Sequence, residues 1–315
     1  MRLSVSIPSN LTQDVANWRY VLDFARVCDE AGVDRIMAPD HIVFGEQLDA
    51  YGNPALGGIV GGSQPTGPDG NYFEPMTLLA ALSGVTSEIR LGTGILLAAL
   101  RRPVVLAKSA VTIDVLSGGR LDLGVGIGWQ QEEYVAAGLN FKARGRLLDH
   151  TLEVCQLLWR EKRASYESKD LTFSNIHAMP KPVQEGGVPI WVGGRVNPNV
   201  ARRIARFGSG WITWDIGHED MAESIAKMRA LVAEAGVGHD GAFPVQVGIF
   251  AQHHEDGRND FGKTFAALPE LAEAGVTDVI LYRLRTTFDK NETAQMAAEM
   301  VAEFRSAAAG HRRGG

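Results

Sequence analysis

Eight times along this chain a short run rich in apolar and β-branched residues is followed by a longer amphipathic stretch. The strand candidates are residues 3–7, 34–39, 89–97, 121–127, 189–193, 211–214, 244–251 and 278–284. The helix candidates are 14–31, 75–86, 102–117, 143–160, 198–207, 219–235, 261–274 and 291–308. Strict alternation of this kind implies parallel strands joined by right-handed crossovers. Alternation alone also suits an open doubly wound sheet. Eight units, however, is the number that closes a barrel, and no linker or composition break divides the 315 residues. The expected fold is therefore α/β, a (β/α)8 TIM barrel with insertion segments, formed as a single domain over residues 1–315.

Punctuation residues support several boundaries. Gly32, Gly208 and Gly275 each follow a helix candidate, where a left-handed cap residue is expected. Asn197-Pro198 reads as an N-cap followed by proline in the first helical turn. Two segments exceed the usual loop length. Residues 42–73 are rich in glycine and proline (Gly57-Gly58, Gly61-Gly62, Pro65, Gly67-Pro68, Gly70) and leave the C-terminal end of the second strand, so they are expected to form a lid. Residues 162–188, before the fifth strand, form the second insertion.

A formal charge of -6 gives no basic face for nucleic acid. After Met1 and Arg2 the chain enters the alternating strand Leu3-Ser4-Val5-Ser6-Ile7, so no signal peptide is read. No apolar run approaches the roughly 20 residues of a membrane helix. A cytoplasmic protein with no membrane partner is expected. Cys28 and Cys155 stand far apart with no CxxC partner, as structural thiols do in a reducing compartment.

Candidate chemistry gathers at the strand ends. The second strand leaves through Ala38-Pro39-Asp40-His41, an acid and an imidazole at the barrel face where active sites sit. The third strand reads Arg90-Leu91-Gly92-Thr93-Gly94-Ile95, and the fourth ends Gly124-Val125-Gly126-Ile127-Gly128. That G-x-G-x-G closes a strand and differs from the G-x-G-x-x-G that opens a dinucleotide-binding helix, so a Rossmann site is rejected. Glycines here either admit tight packing inside the barrel or leave a flat wall for a ring system. The fifth strand ends Trp191-Val192-Gly193-Gly194-Arg195 just before a helix, a place for an anion such as phosphate, with Arg195 adding a charge-assisted contact. No metal site is expected: His253-His254 reads as a solvated loop pair, and no ligand-spaced cluster or His-x-His stands at a strand end.

In order and spacing, Gly32-Val33-Asp34-Arg35-Ile36-Met37-Ala38-Pro39-Asp40-His41, Ile89-Arg90-Leu91-Gly92-Thr93-Gly94, Asp114-Val115-Leu116-Ser117-Gly118-Gly119-Arg120 and Pro189-Ile190-Trp191-Val192-Gly193-Gly194 resemble the luciferase-like monooxygenase superfamily, in particular its branch using coenzyme F420. The resemblance is clear over about residues 3–215 and looser beyond. It implies the bacterial luciferase-like barrel, with F420 or alternatively FMN held at the C-terminal mouth. It also implies a phosphate near Gly193, Gly194 and Arg195, and a bulge with a non-prolyl cis peptide at Gly94-Ile95 backing the ring. Gly126, Ile127 and Gly128 are expected beside it. The family's sugar-phosphate dehydrogenases imply His41 as catalytic base and Asp40 against the deazaflavin. Those enzymes carry a glutamate directly after the fourth strand's glycines, where this chain has Trp129, which argues against the same acid–base pair.

The expected activity is hydride transfer between a deazaflavin and a small organic substrate under the 42–73 lid, with an FMN-dependent monooxygenase as the alternative. Trp129, Trp214 and Phe44 are candidates for an apolar substrate wall, and Arg283 or Arg285 for an anionic group. A metal-dependent barrel hydrolase and a non-catalytic flavin-binding protein are the rivals from other classes. The family's habit of pairing implies a homodimer, for which the Ala- and Leu-rich faces of 102–117 and 143–159 are available.

Overall fold

The apolar runs become the staves of one closed parallel barrel in the computed structural model, which describes residues 1–59, 62–64, 66–236 and 242–310. Its strands are β1 (Arg2–Ser6), β2 (Arg35–Ala38), β3 (Arg90–Thr93), β4 (Leu121–Val125), β5 (Ala164–Glu167), β6 (Thr172–Ile176), β7 (Ile190–Gly194), β8 (Gly210–Thr213), β9 (Val245–Phe250), β10 (Gln252–His253), β11 (Asn259–Asp260) and β12 (Asp278–Tyr282). Around the barrel the order is β1, β2, β3, β4, β7, β8, β9, β12 and back to β1. Leu3 lies opposite Val279 at the closing seam, and every neighbouring pair is parallel. Closure decides the question that alternation left open, in favour of the barrel over the open sheet.

The helices are α1 (Ser9–Gln13), α2 (Arg19–Ala31), α3 (Pro75–Ser83), α4 (Pro103–Leu116), α5 (Gln131–Ala136), α6 (Arg144–Arg160), α7 (Pro198–Phe207), α8 (Met221–Glu234), α9 (Phe261–Thr264), α10 (Leu268–Glu273) and α11 (Lys290–Gly310). Two expected helices are shorter than the apolar period implied. The first begins at Arg19, after a 3-10 turn over Val15–Asn17, and 261–274 divides into α9 and α10. Gly32 and Gly275 take the left-handed conformation, with φ of 84° and 96°. Gly208 does not: its backbone is extended, and a Cβ there would lie 2.8 Å from the Ile204 Cα, so close packing on α7 is what requires glycine. Asn197 caps α7 as expected, its side chain accepting from the Asn199 and Val200 amides.

The 162–188 insertion folds into the antiparallel β5–β6 hairpin, tied to α6 by the Arg146–Asp170 ion pair. A second small hairpin, β10–β11, holds His253 half-buried in a strand and not in the solvated loop expected, while His254 is exposed with its Nδ1 3.4 Å from Asp260. Arg285 serves the same hairpin, donating to the Gly257 carbonyl. Cys28 in α2 and Cys155 in α6 are buried free thiols, and burial pushes both up, Cys155 to about 12. Among the described residues no helix is long and apolar enough to cross a membrane.

Inside the barrel the side chains are layered. At the N-terminal floor, Arg35 pairs with Asp122 (2.8 Å) and Asp278 (3.4 Å), Arg90 with Asp122 (2.7 Å) and Arg2 with Asp278 (2.8 Å). The Arg35 guanidinium also stacks 4.7 Å above the Trp191 ring. Met37, Trp191, Ile212 and Ile280 pack above this floor, with Ile95 and Tyr282 against them. Glycines make room for them: a Cβ on Gly92 would lie 2.5 Å from Met37 Sδ, and one on Gly210 2.5 Å from Trp191.

Removing one partner from a buried ion network strands the other. Asp122→Ala is therefore expected to destabilise the fold by about 3–5 kcal/mol, read as a lowered denaturant midpoint with an unchanged slope. A loss below about 1 kcal/mol, the value of a surface ion pair, would contradict the role given to this floor.

Candidate active site at the barrel mouth

The glycine-bearing strand ends converge at the C-terminal mouth, and their packing decides between the two readings of those glycines. A Cβ on Gly126 would run into Ile95 Cδ1, and one on Gly193 would lie 3.1 Å from Ile95 Cγ2. A Cβ on Gly94 would sit 3.3 Å from both Ile280 and Met37. The glycines thus first serve packing within the barrel: they let Ile95 settle between β4 and β7. Gly94 and Ile95 stay partly exposed at the mouth, joined by a cis peptide bond. Ile127 and Gly128 follow on β4's exit; the Ile127 carbonyl accepts from Tyr134, and a Cβ on Gly128 would press on Leu97 at 2.8 Å.

Asp40 is buried and its carboxylate is fully engaged. It accepts from the Leu97 amide (2.8 Å) and from both terminal nitrogens of Arg101 (2.5 and 3.0 Å). Arg101 also donates to Glu74 at 2.7 Å. Burial raises the Glu74 carboxyl, but hydrogen bonds from Arg101 and Thr77 outweigh it and hold the group below the usual carboxylate range. Asp40 thereby fixes the chain just beyond Ile95.

His41 sits in an aromatic enclosure. Its ring centroid lies 4.5 Å from Phe44, 5.0 Å from Tyr72 and 6.0 Å from Trp129. Its Nδ1 is buried without a hydrogen-bond partner, 3.4 Å from the Oε1 of Glu133. Glu133 projects from α5 with a completely buried side chain, and its Oε1 accepts from the Ile42 amide at 2.9 Å. Gln130 makes a parallel contact, accepting from the Gly45 amide at 2.6 Å.

The 42–73 segment lies against this mouth; Gly61 and Pro65 are outside the described residues. It carries 3-10 turns over Leu48–Gly52 and Pro54–Leu56. Barrel side chains hold the second turn by its carbonyls. Arg195 donates to Pro54 (2.9 Å) and Gly58 (2.5 Å), Trp214 Nε1 to Gly57 (2.9 Å), and Arg144 to Leu56 (3.4 Å). Arg195 is also paired with Asp215, and the α7 amides of Asn199 and Val200 bond the Asn197 side chain. The donors expected to face an anion at Gly193-Gly194-Arg195 are thus engaged by the protein itself. Tyr51 fills the space between Trp129 (5.3 Å) and Trp214 (6.4 Å). Burial raises its hydroxyl, with Tyr72 adding and Arg283 opposing.

Sequence reasoning missed Tyr51, Tyr72, Arg101, Gln130, Glu133 and Arg144. Arg283 stands over the Phe250 ring at 4.7 Å, exposed. The expected wall is divided: Phe44 and Trp129 face His41, whereas Trp214 donates to the Gly57 carbonyl of the 42–73 segment.

The model of the luciferase-like monooxygenase family matches residues 1–260. The chain belongs to that family. An uncharacterised protein of Mycobacterium tuberculosis is 35% identical over 218 residues, covering 68% of this chain and 71% of that protein. The F420-dependent glucose-6-phosphate dehydrogenase of Nocardia farcinica is 30% identical over 202 residues, 62% of this chain and 52% of that enzyme. The solved structure of monooxygenase RslO1 from Streptomyces bottropensis superposes with a TM-score of 0.77 at 18% identity, covering 97% of this chain and 99% of that one. That likeness establishes the luciferase-like fold.

Arg195 makes two of the contacts that hold the 42–73 segment against this luciferase-like barrel. Arg195→Ala should speed chymotryptic cleavage after Tyr51 by about tenfold or more, since a hydrogen bond to a charged group contributes about 1.5–3 kcal/mol. An unchanged cleavage rate would show that the carbonyl contacts do not hold the segment.

Proposed function

We propose that this luciferase-like protein is an F420-dependent oxidoreductase, acting on a small, largely apolar alcohol or carbonyl compound. The observation that carries the reading is His41, caged by Phe44, Tyr72 and Trp129 at the same barrel end as the low Ile95 surface. Without Cβ atoms at Gly126 and Gly193, Ile95 sinks into the barrel instead of standing out of it, which leaves apolar floor suited to a planar ring. Identity with the Nocardia farcinica dehydrogenase supports the deazaflavin.

When bound, the deazaflavin supplies two-electron hydride chemistry that reacts poorly with oxygen. Gly94, Ile95, Gly126, Ile127 and Gly128 would underlie its ring. Gly193, Gly194, Arg195 and Arg144 would hold its anionic portion once the lid carbonyls release them. Arg144 is suited to this, because its Nε is buried without a partner and its other nitrogens donate only to the Phe141 and Leu56 carbonyls. Asp40 acts at one remove, through Leu97 and Arg101.

His41 is the group we assign to move a proton, through Nε2, to or from the substrate oxygen. Trp129 stands where the sugar-phosphate dehydrogenases carry a glutamate, so that position offers an apolar wall in place of an acid. This favours an uncharged substrate over a sugar phosphate. A second reading, an FMN-dependent monooxygenase, draws support from the match to the luciferase-like monooxygenase family. A cytoplasmic homodimer belongs to the same proposal, with the exposed Val105 and Leu116 of α4 as its apolar contact.

Titrating the protein separately with F420 and FMN, read by tryptophan fluorescence quenching, tests the cofactor. We expect F420 to bind at least about tenfold more tightly, a difference of about 1.4 kcal/mol. Tight FMN binding with no response to F420 would reverse the choice. Once a substrate is found by screening alcohols and ketones, His41→Asn should lower kcat by about 10²–10³-fold while leaving cofactor affinity unchanged. Retained turnover would remove His41 from the chemistry.

A further inference from the structure

The polar groups behind His41 are disposed in a way that anchoring the chain does not explain. Glu133 and Gln130 both reach from the start of α5 to the segment after His41, each accepting from one backbone amide, Ile42 and Gly45 respectively. A neutral glutamine is sufficient for such an anchor at position 130. At position 133 the chain uses a carboxylate instead, wholly buried, with its second oxygen, Oε2, lacking any hydrogen-bond partner. Burying a charge with an unsatisfied oxygen is costly unless another group draws on it.

His41 is the group nearest that charge, approaching it on the Oε1 side while Oε2 stays bare. Its Nδ1, also buried and unpartnered, is 3.4 Å from Glu133 Oε1. Among the described residues no other acid lies within ion-pair distance of the ring: adjacent Asp40 is taken up by Arg101 and the Leu97 amide. The remaining neighbours are Phe44, Trp129 and Tyr72, and burial raises the Tyr72 hydroxyl, which keeps it neutral. Those three rings limit how far the imidazole can turn, and an approach of about 0.6 Å would bring Nδ1 from 3.4 Å to the roughly 2.8 Å of a charge-assisted hydrogen bond.

We infer that Glu133 is a positioning residue, whose carboxylate accepts a hydrogen bond from His41 Nδ1 and so leaves the Nε2 lone pair free for the substrate. The physical logic is that of any carboxylate–imidazole pair: the acceptor at one nitrogen fixes which nitrogen carries the proton. When Nε2 takes a proton from a substrate hydroxyl, the O–H bond breaks, an N–H bond forms, and the resulting imidazolium is balanced by the Glu133 charge. In the reverse direction the imidazolium returns that proton. The inference deepens the assignment of His41 as the proton-moving group and rests on it.

The test is nitrogen NMR of the whole protein labelled with 15N-histidine, without any cofactor, at a pH where His41 is neutral. The His41 signal is identified by its loss in His41→Asn. In the wild type we expect Nδ1 to carry the proton and Nε2 to be bare, the reverse of the preference of a free histidine side chain. Glu133→Leu should return the ring to the Nε2–H form. Glu133→Gln keeps an oxygen for the Ile42 amide, so it should fold even where the leucine variant does not, and it should lower the Nδ1–H share because a neutral amide is the weaker acceptor. A wild-type ring already protonated on Nε2, or an Nδ1–H form untouched in a folded Glu133 variant, would overturn the inference. Because the readout needs no cofactor, it is independent of the F420 titration, and either result can fail without the other.

Discussion

A closed ring of eight parallel strands has to be filled, and here the filling at the mouth is the contact of Ile95 with the bare backbone of Gly126 and Gly193. Interiors are packed to crystal-like density, so a bulky residue on one stave demands an absent one on the next. The same rule runs down the barrel. Gly92 lies against Met37, Gly124 against Ile212, Gly210 against Trp191 and Gly248 against Tyr282. At the top, this complementarity sets the height of the apolar surface over which the lid segment and the His41 enclosure are built. A side chain on either glycine would push Ile95 outward and close the place where a flat ligand can rest.

The two ends of the barrel differ in how their charged groups are satisfied. At the floor the buried Arg35, Asp122 and Asp278 charges are paired with one another, which makes that end a rigid plug. At the mouth, His41 Nδ1, Glu133 Oε2, Gln130 Nε2 and Arg144 Nε are buried and unpartnered, and at the floor Gln246 Oε1, beside Asp278, is likewise without a partner. Buried groups without partners are uncommon and mark places where stability yields to another demand. Four of them gather at the C-terminal face, the end where barrel enzymes carry their chemistry. The 42–73 segment adds a further economy, since the guanidinium groups we assign to an anion hold its backbone carbonyls in this structure.

The barrel was legible in the sequence because its signal is periodic. Each stave repeats an apolar run, and each crossover a helical stripe, so errors at Gly208 or at the break between α9 and α10 leave the topology intact. The residues at the mouth were legible where glycine, or a histidine at a strand exit, breaks the local pattern. What escaped was pairing over long sequence distance. Nothing near Asp40 announces Arg101, 61 residues away, as the partner of its carboxylate. Glu133 sits in an ordinary acidic first turn of a short helix and is singled out only by its burial beside Ile42. The internal order of the insertions was hidden for a related reason: β5–β6 pairs across a polar turn with weak alternation, and the 48–58 turns take their order from Arg195 and Trp214 on distant strands.

The packing of the mouth, its lid and the His41 enclosure have a common purpose only if the redox cofactor sits over Ile95. Backbone hydrogen exchange with and without saturating F420 measures this directly. We expect slowed exchange in the peptides spanning residues 94–97, 126–129 and 193–197, with the helices of the outer ring unchanged. Protection confined to other surfaces, or none at these three strand ends under saturating cofactor, would contradict it.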